Sequence, residues 1–294
     1  MRRRRRLELR ATLIALASAG AAQAQISEAV PPDTVALDTT GGESGNAGYW
    51  QQARRRLFVA ATIELGAPYV RTQLATGYGR PHYSWMGMEL YTGVNPSSLA
   101  EYLGLRAALP WAYLRAGLRY QAAFQRSILP IKDSYTREDL DTPIGDPWQY
   151  FSFEGEGAAM ARLPFGNLTG IVGGYYFTLV PERDAAIFEE TLRVVATQPW
   201  LWRARGSYSF SFGRDDGGRL GAAAEVVGIP GRGELVFRAG PYAAVAVTNH
   251  LEVLAMLLPV WYSPDTLGLL GADFAQLGLR LRFATGETSP DPRE

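Results

Sequence analysis

Residues 200–213 read Trp200-Leu201-Trp202-Arg203-Ala204-Arg205-Gly206-Ser207-Tyr208-Ser209-Phe210-Ser211-Phe212-Gly213. Aromatic or small residues occupy the even positions, while Arg203, Arg205 and three serines occupy most of the odd ones. Successive side chains of a β-strand point to opposite sides, so a period of two means one strand between two different surroundings. One face here is aromatic and the other polar.

The pattern recurs along the chain. Over 112–124, Leu114, Ala116, Leu118, Tyr120 and Phe124 alternate with Arg115, Arg119 and Gln121. Around 235–247, Phe237, Val245 and Val247 oppose Glu234 and Arg238. Strand-like segments are read at 57–66, 69–77, 82–94, 98–109, 112–124, 148–163, 168–180, 187–197, 200–213, 234–247, 250–262 and 272–283. Those twelve form an even set, which puts both chain ends on one side of a barrel. The strand-like piece 220–227 is read as part of an outer loop, because counting it alone breaks the parity; ten or fourteen strands are the neighbouring counts.

Alternation also suits a soluble periplasmic β-sandwich, and three features favour an all-β, transmembrane, antiparallel up-and-down barrel. Several segments have the length that a tilted strand needs to cross the hydrocarbon layer, roughly ten residues. Short turns at Pro110-Trp111, Pro164-Phe165-Gly166-Asn167, Pro199 and Thr248-Asn249-His250 contrast with the long polar connection 125–147, which either enters the barrel or faces outward. Trp111, Trp148, Trp200, Trp202 and Trp261 fall near segment ends, where amphipathic rings meet headgroups.

The last segment, Gln276-Leu277-Gly278-Leu279-Arg280-Leu281-Arg282-Phe283, resembles the β-signal of bacterial outer-membrane proteins. Gln276, Gly278, Leu281 and Phe283 stand at the matching positions. The resemblance implies a cell outer-membrane location, with the barrel-assembly machinery, periplasmic chaperones and the lipid bilayer as partners. Members of that group usually stop at the aromatic residue, whereas here a polar tail, 284–294, follows.

The N-terminus agrees. Arg2 to Arg6, a short apolar stretch from Ala11 to Ala22, and Ala22-Gln23-Ala24 have the form of a cleaved secretory signal, 1–24. Its apolar part is too short for a membrane-spanning helix. Residues 25–56 read as a flexible periplasmic lead-in, rich in Gly, Pro, Ser, Thr and Asp, and 57–283 as the barrel.

Composition narrows the function. The chain has no cysteine, which excludes a disulfide framework, a thiolate metal site and a thiol nucleophile. Lys plus Arg number 29 and Asp plus Glu 29, a balance that argues against nucleic acid. No spacing of His, Asp or Glu suggests a metal site, and no motif suggests a cofactor.

Residues expected to line the lumen are Glu64, Arg71, Glu89, Arg106, Arg115, Arg119, Glu154, Glu156, Arg162, Glu189, Arg193, Arg203, Arg205, Glu234, Arg238, Glu252, Arg280 and Arg282. Arginine outnumbers glutamate. Such a lumen is either a narrow, weakly anion-preferring passive pore for small solutes or ions, or a filled structural or surface-exposed barrel crossed by ion pairs.

An enzyme is the less favoured alternative. His82-Tyr83-Ser84 places an imidazole and a hydroxyl two positions apart on a strand. The tripeptide resembles the His-x-Ser of outer-membrane phospholipases and lipid A deacylases. That resemblance implies His82 as base, Ser84 as nucleophile and Asn95 as the group that orients the ring. Trp85-Met86 follows the serine where the phospholipases have Asn-Gly.

Overall fold

A computed structural model describes residues 47–66, 69–141, 147–177, 185–213, 217–267 and 275–286. The proposed leader, most of the lead-in and the end of the polar tail lie outside these residues.

In chain order the described strands are β1 (Arg56–Gly66), β2 (Tyr69–Arg80), β3 (Ser84–Val94), β4 (Ser98–Leu109), β5 (Ala112–Ser127), β6 (Leu129–Pro130), β7 (Pro147–Leu163), β8 (Gly166–Phe177), β9 (Ala185–Glu189), β10 (Val194–Thr197), β11 (Trp200–Phe212), β12 (Gly218–Ile229), β13 (Glu234–Ala246), β14 (Leu251–Leu257), β15 (Val260–Tyr262) and β16 (Ala275–Ala284). Two short helices are α1 (Ala47–Gln52) and α2 (Arg137–Asp141). Antiparallel pairing runs β1-β2-β3-β4-β5-β7-β8-β11-β12-β13-β14-β16 and returns to β1, which closes a twelve-strand barrel. After Leu258 and Pro259 interrupt β14, the short β15 pairs with β13. Closure leaves the ladder without an open edge, so the alternating residues serve a barrel and not a sandwich.

The barrel is inside-out. Leu57, Leu105, Leu114 and Leu277 point outward and are 65–79% exposed, and apolar residues face outward around the wall. Charged side chains point inward and are buried, with Glu252 at 0% and Arg119 and Arg203 at 1%. Water would penalise so extensive an apolar exterior, whereas hydrocarbon would not. The described stretch begins and finishes at one end of the barrel, the termini end, while residues 128–141, 185–199 and 263–267 lie toward the opposite, far end.

Some inward positions need glycine because rings lie over the backbone. A Cβ on Gly104 or Gly117 would overlap the phenol of Tyr102, and one on Gly66 would overlap the ring of Tyr69. Aromatic cover of strand glycines fills the pleat where no side chain can pack.

The count of twelve holds, with one exchange of strands. Residues 187–197, expected in the wall, form the hairpin β9–β10 inside the barrel. Its sheet is separate, and its partner strand is β6. Residues 220–227, expected in an outer loop, belong to the wall strand β12. Composition explains the error: Val194-Val195-Ala196 suits any buried strand, and alternation cannot distinguish lipid from a protein interior on its second face. Pro199 is accordingly no turn between wall strands; it marks the chain's return to the wall.

Candidate functional site

The register of the barrel turns its inward charges into a ladder. Arg71 on β2, Glu64 on β1, Arg280 on β16 and Glu252 on β14 stand directly opposite one another in sequence around the wall. Their contacts are 3.0 Å for Arg71–Glu64, 3.1 Å for Glu64–Arg280 and 3.3 Å for Arg280–Glu252. Glu252 also holds Arg219 at 3.1 Å and Arg282 at 3.4 Å, and Tyr69 donates its hydroxyl to Glu64.

A second chain starts at Arg238 on β13, passes through Glu225 on β12 at 3.3 Å, and continues to Arg205 on β11. Arg203 lies 3.9 Å from Glu225 and pairs with Glu156 on β7, which also takes Arg115 at 3.1 Å and the Tyr113 hydroxyl. Glu89 holds Arg106 at 3.1 Å and accepts from Gln73 at 3.2 Å. One cross-strand pair, Arg106 opposite Arg115, joins like charges. Each guanidinium of that pair lies over a ring, Arg106 at 4.5 Å from the centroid of Tyr113 and Arg115 at 5.5 Å from that of Tyr102.

Ten arginines of the described wall face inward: Arg71, Arg106, Arg115, Arg119, Arg203, Arg205, Arg219, Arg238, Arg280 and Arg282. Six glutamates oppose them there: Glu64, Glu89, Glu154, Glu156, Glu225 and Glu252. The wall therefore carries four surplus positive charges on this count. A barrel of eight strands is filled by its own side chains and one of about sixteen leaves a channel; at twelve, long arginines can meet across the lumen. Low exposure of these groups shows that the lumen is filled at their level, because a water-filled bore would wet them. Nearer the termini end, Phe58, Trp85, Tyr113 and Ile171 fill the same space at 1–8% exposure.

The hairpin β9–β10 occupies the lumen toward the far end. Ile187, Leu192, Val194 and Ala196 pack on Trp148, Tyr150, Phe177, Leu201, Val227, Ile229 and Val236 of the wall. Burial of an aliphatic side chain the size of Ile, Leu or Val is worth about 1.5–3 kcal/mol, which favours the seated hairpin over a withdrawn one. At its tip Glu189 accepts from the Tyr150 hydroxyl at 2.9 Å, lies 3.5 Å from Arg119, and caps the backbone N–H of Leu192. Arg119 is also held in two-point contact by Glu154, at 2.7 and 2.8 Å.

A lid covers the hairpin. Leu129, Tyr135 and Leu140, from the connection whose placement the sequence left open, pack on Ala186, Phe188 and Val195. Arg232, in the β12–β13 turn, joins the parts: it donates to Asp265 at 2.8 Å through both terminal nitrogens, to the Val195 carbonyl at 3.2 Å and to the Asp133 carbonyl at 3.1 Å. In the lid's outer part, the ammonium of Lys132 beside Asp139 draws that carboxyl down to about 2.

Of the expected lining residues, Glu189 and Arg193 lie in the lumen on the hairpin rather than on the wall. Arg162 is exposed at the termini end of β7, on the same face of that strand as Glu154 and Glu156. Glu234 sits at the far-end start of β13, half-buried and 2.8 Å from Arg232. Arg219 and Glu225 were missed through the misplacement of β12; Arg219-Leu220 and Glu225-Val226 carry the same alternation as the other strands. Trp148, expected at a membrane interface, points inward at 1% exposure. Among the assembly-signal positions, Gly278 pairs with Gly66 and Leu281 with Ile63, Phe283 faces outward half-exposed, and Gln276 pairs with Met256.

His82, Ser84 and Asn95 do not converge. His82 lies in the turn before β3 and Asn95 in the turn after it, at opposite ends of the barrel. The His82 Nε2–H donates to the Phe283 carbonyl at 3.0 Å, and the Asn95 amide is engaged with Ser97 and Ser98. A strand that spans the barrel keeps its two ends apart, so the enzyme reading lacks its geometry.

The histidines instead form a seat at the termini end. Trp50 of α1, 0% exposed, packs edge-on against His82 and His250 with centroids 4.5 and 5.8 Å away. His250 Nδ1–H donates to the Arg282 carbonyl at 2.9 Å. This stretch of the lead-in is thus a docked helix. Burial, reinforced by Arg282, lowers His82 from 6.5 to about 3. Because the docked value lies below the free one, the released form binds the proton better. Docking should be at full strength above about pH 6.5 and weaken as pH falls toward 3, by up to about 1.4 kcal/mol per unit. The Trp50 indole signal in a ¹⁵N NMR titration checks this, and His82→Gln should flatten the response; an equal response in that variant would contradict it.

Among the described residues no group of His, Asp or Glu could hold a metal ion. No protein-family model matches the chain, and no curated protein matches its sequence. Solved structures that align with it include the KdgM porin, 7% identical over 77% of this chain and 99% of that one, at a TM-score of 0.40. Others are the outer membrane protein Omp33 of Acinetobacter baumannii, 10% identical over 79% and 99% at 0.36, and the translocator domain of the autotransporter NalP from Neisseria meningitidis, 13% identical over 81% and 91% at 0.35. Likeness at this level says nothing about what the chain binds or conducts.

Proposed function

We propose that the chain is a barrel of the bacterial outer membrane that is closed at rest, a structural or surface-presenting barrel and not an open diffusion pore. The observation that carries the reading is the burial of the inward charges, with Glu252, Arg119, Arg203 and Arg280 at 0–2% exposure inside an apolar exterior. Export by the leader 1–24 and recognition of β16 by the assembly machinery belong to the same reading. A second reading, weak anion preference in a conducting state, is favoured by the four surplus arginines of the wall.

Planar-bilayer recording of the refolded mature chain tests both. Insertion should occur with no discrete conductance steps at moderate voltage. Steps from the wild type would refute the closed barrel, and their reversal potential in a KCl gradient would decide whether chloride is preferred.

A further inference from the structure

We propose that the hairpin β9–β10 is an internal, displaceable ligand: it fills a vestibule at the far end whose walls suit an oxyanion of two or more charges. The inference rests on the closed-barrel reading.

The hairpin is not part of the wall. Its backbone pairs within itself and with β6 alone among the described residues, and the twelve-strand ladder closes without it. Withdrawing it therefore breaks no hydrogen bond of the barrel ladder.

Several of its polar contacts run one way. The surround donates and the hairpin accepts: Tyr150 and Arg119 to Glu189, Arg119 to the Thr191 hydroxyl, Arg238 to the Arg193 carbonyl at 2.7 Å, and Arg232 to the Val195 carbonyl. The Thr191 hydroxyl, 3.4 Å from Gln121 Oε1, runs the other way, and the hairpin also carries the buried cation Arg193. A surface that presents guanidinium and phenol donors over a wall with surplus positive charge selects oxygen acceptors with negative charge. Glu189 is such a group, supplied by the chain itself. Carboxylates and phosphates share this chemistry.

The seat is also unevenly filled. The apolar side of the hairpin lies on β7, β8 and β11 to β13, whereas toward β2, β3 and β5 a cavity of about 30 Å³ remains. Tyr69, Arg71, Asn95 and Gln121 bound it on the wall side, and Glu190 and Thr191 on the hairpin side. That space has room for water. An anion as large as citrate fits only when the hairpin tip moves.

Citrate and inorganic phosphate, titrated separately by calorimetry into the refolded full-length protein in nanodiscs, provide the test. In one variant residues 186–196 are replaced by Gly-Ser-Gly; in another, Gln121→Cys and Thr191→Cys are joined by a bifunctional thiol reagent, which no native cysteine can intercept. The shortened barrel should bind at least one of the two anions about tenfold or more tightly than the wild type, and the locked protein should bind neither. Arg238→Gln in the shortened barrel should weaken binding about tenfold, the loss expected for one charge-assisted hydrogen bond. Citrate alone, phosphate alone or both would then assign the ligand's source.

A shortened barrel that keeps its heat-modifiable gel mobility yet binds neither anion overturns the proposal. So does equal binding by the locked protein, or failure of the shortened chain to form a barrel, since the hairpin would then be part of the folding core. Conductance of the wild type would instead refute the closed-barrel reading, so the two failures are distinguishable.

Discussion

Glu252→Gln should destabilise the barrel by about 3–5 kcal/mol, the cost of removing one partner from a buried ion-pair cluster. Glu252 is 0% exposed and lies within 3.1–3.4 Å of Arg219, Arg280 and Arg282, which come from two different strands. Glutamine keeps the shape and an acceptor oxygen, so the loss would be charge and not packing. Arg280 would retain its contact to Glu64 at 3.1 Å.

Equilibrium urea unfolding in lipid vesicles gives the measurement. Glu89→Gln is the control, because Glu89 forms one ion pair, with Arg106, and should cost less. Equal losses in the two variants would mean that the ladder of charges has no special role at β14. A loss below about 1 kcal/mol for Glu252→Gln would mean that water reaches the lumen, and would weaken the closed-barrel reading as well.

Arg232→Ala should release the lid without opening the barrel wall. Its guanidinium is 5% exposed and grips Asp265, whose side chain is 1% exposed, through two hydrogen bonds. Truncation leaves that carboxylate buried and without its cation, a loss again of about 3–5 kcal/mol, now confined to the far-end loops. The same change removes the donor to Val195 on the hairpin and the cation over Tyr135, whose ring centroid is 5.0 Å away.

Limited trypsin digestion reads the effect through Lys132 and Arg137. Cleavage there should accelerate by more than tenfold while heat-modifiable mobility of the barrel persists. Unchanged cleavage would show that the apolar contacts of Leu129, Tyr135 and Leu140 suffice to hold the lid. Arg232→Lys should fall between wild type and Arg232→Ala, because an ammonium keeps a cation beside Asp265 but cannot reproduce the paired geometry.

Much of the architecture was legible in residue order. Alternation such as that of 200–213 is a local property, and it located eleven of the twelve wall strands, since each strand meets apolar and polar surroundings on its two faces. The exchange of 187–197 for 218–229 exposes the limit of that signal. Phe188 and Val195 face a lid inside the barrel, whereas Leu220 and Val226 face outward, and the side-chain types are the same.

Most of the inward charges were likewise legible as odd polar positions on those strands. Their pairing was not. Glu64 reaches Arg280 across 216 positions of sequence because β1 and β16 close the barrel in one register, and a shift of a single residue would turn every such charge outward.

The sequence by itself determined a barrel with an apolar exterior, a charged interior and an excess of inward arginine, because strand period and side-chain polarity act locally. Tertiary structure alone decided that the inward charges are buried in ion pairs, that a hairpin with Glu189 at its tip lies in the lumen, and that His82 sits far from Asn95 and, with His250, seats Trp50. Those outcomes depend on which distant groups share a level of the barrel, and only closure and register set that.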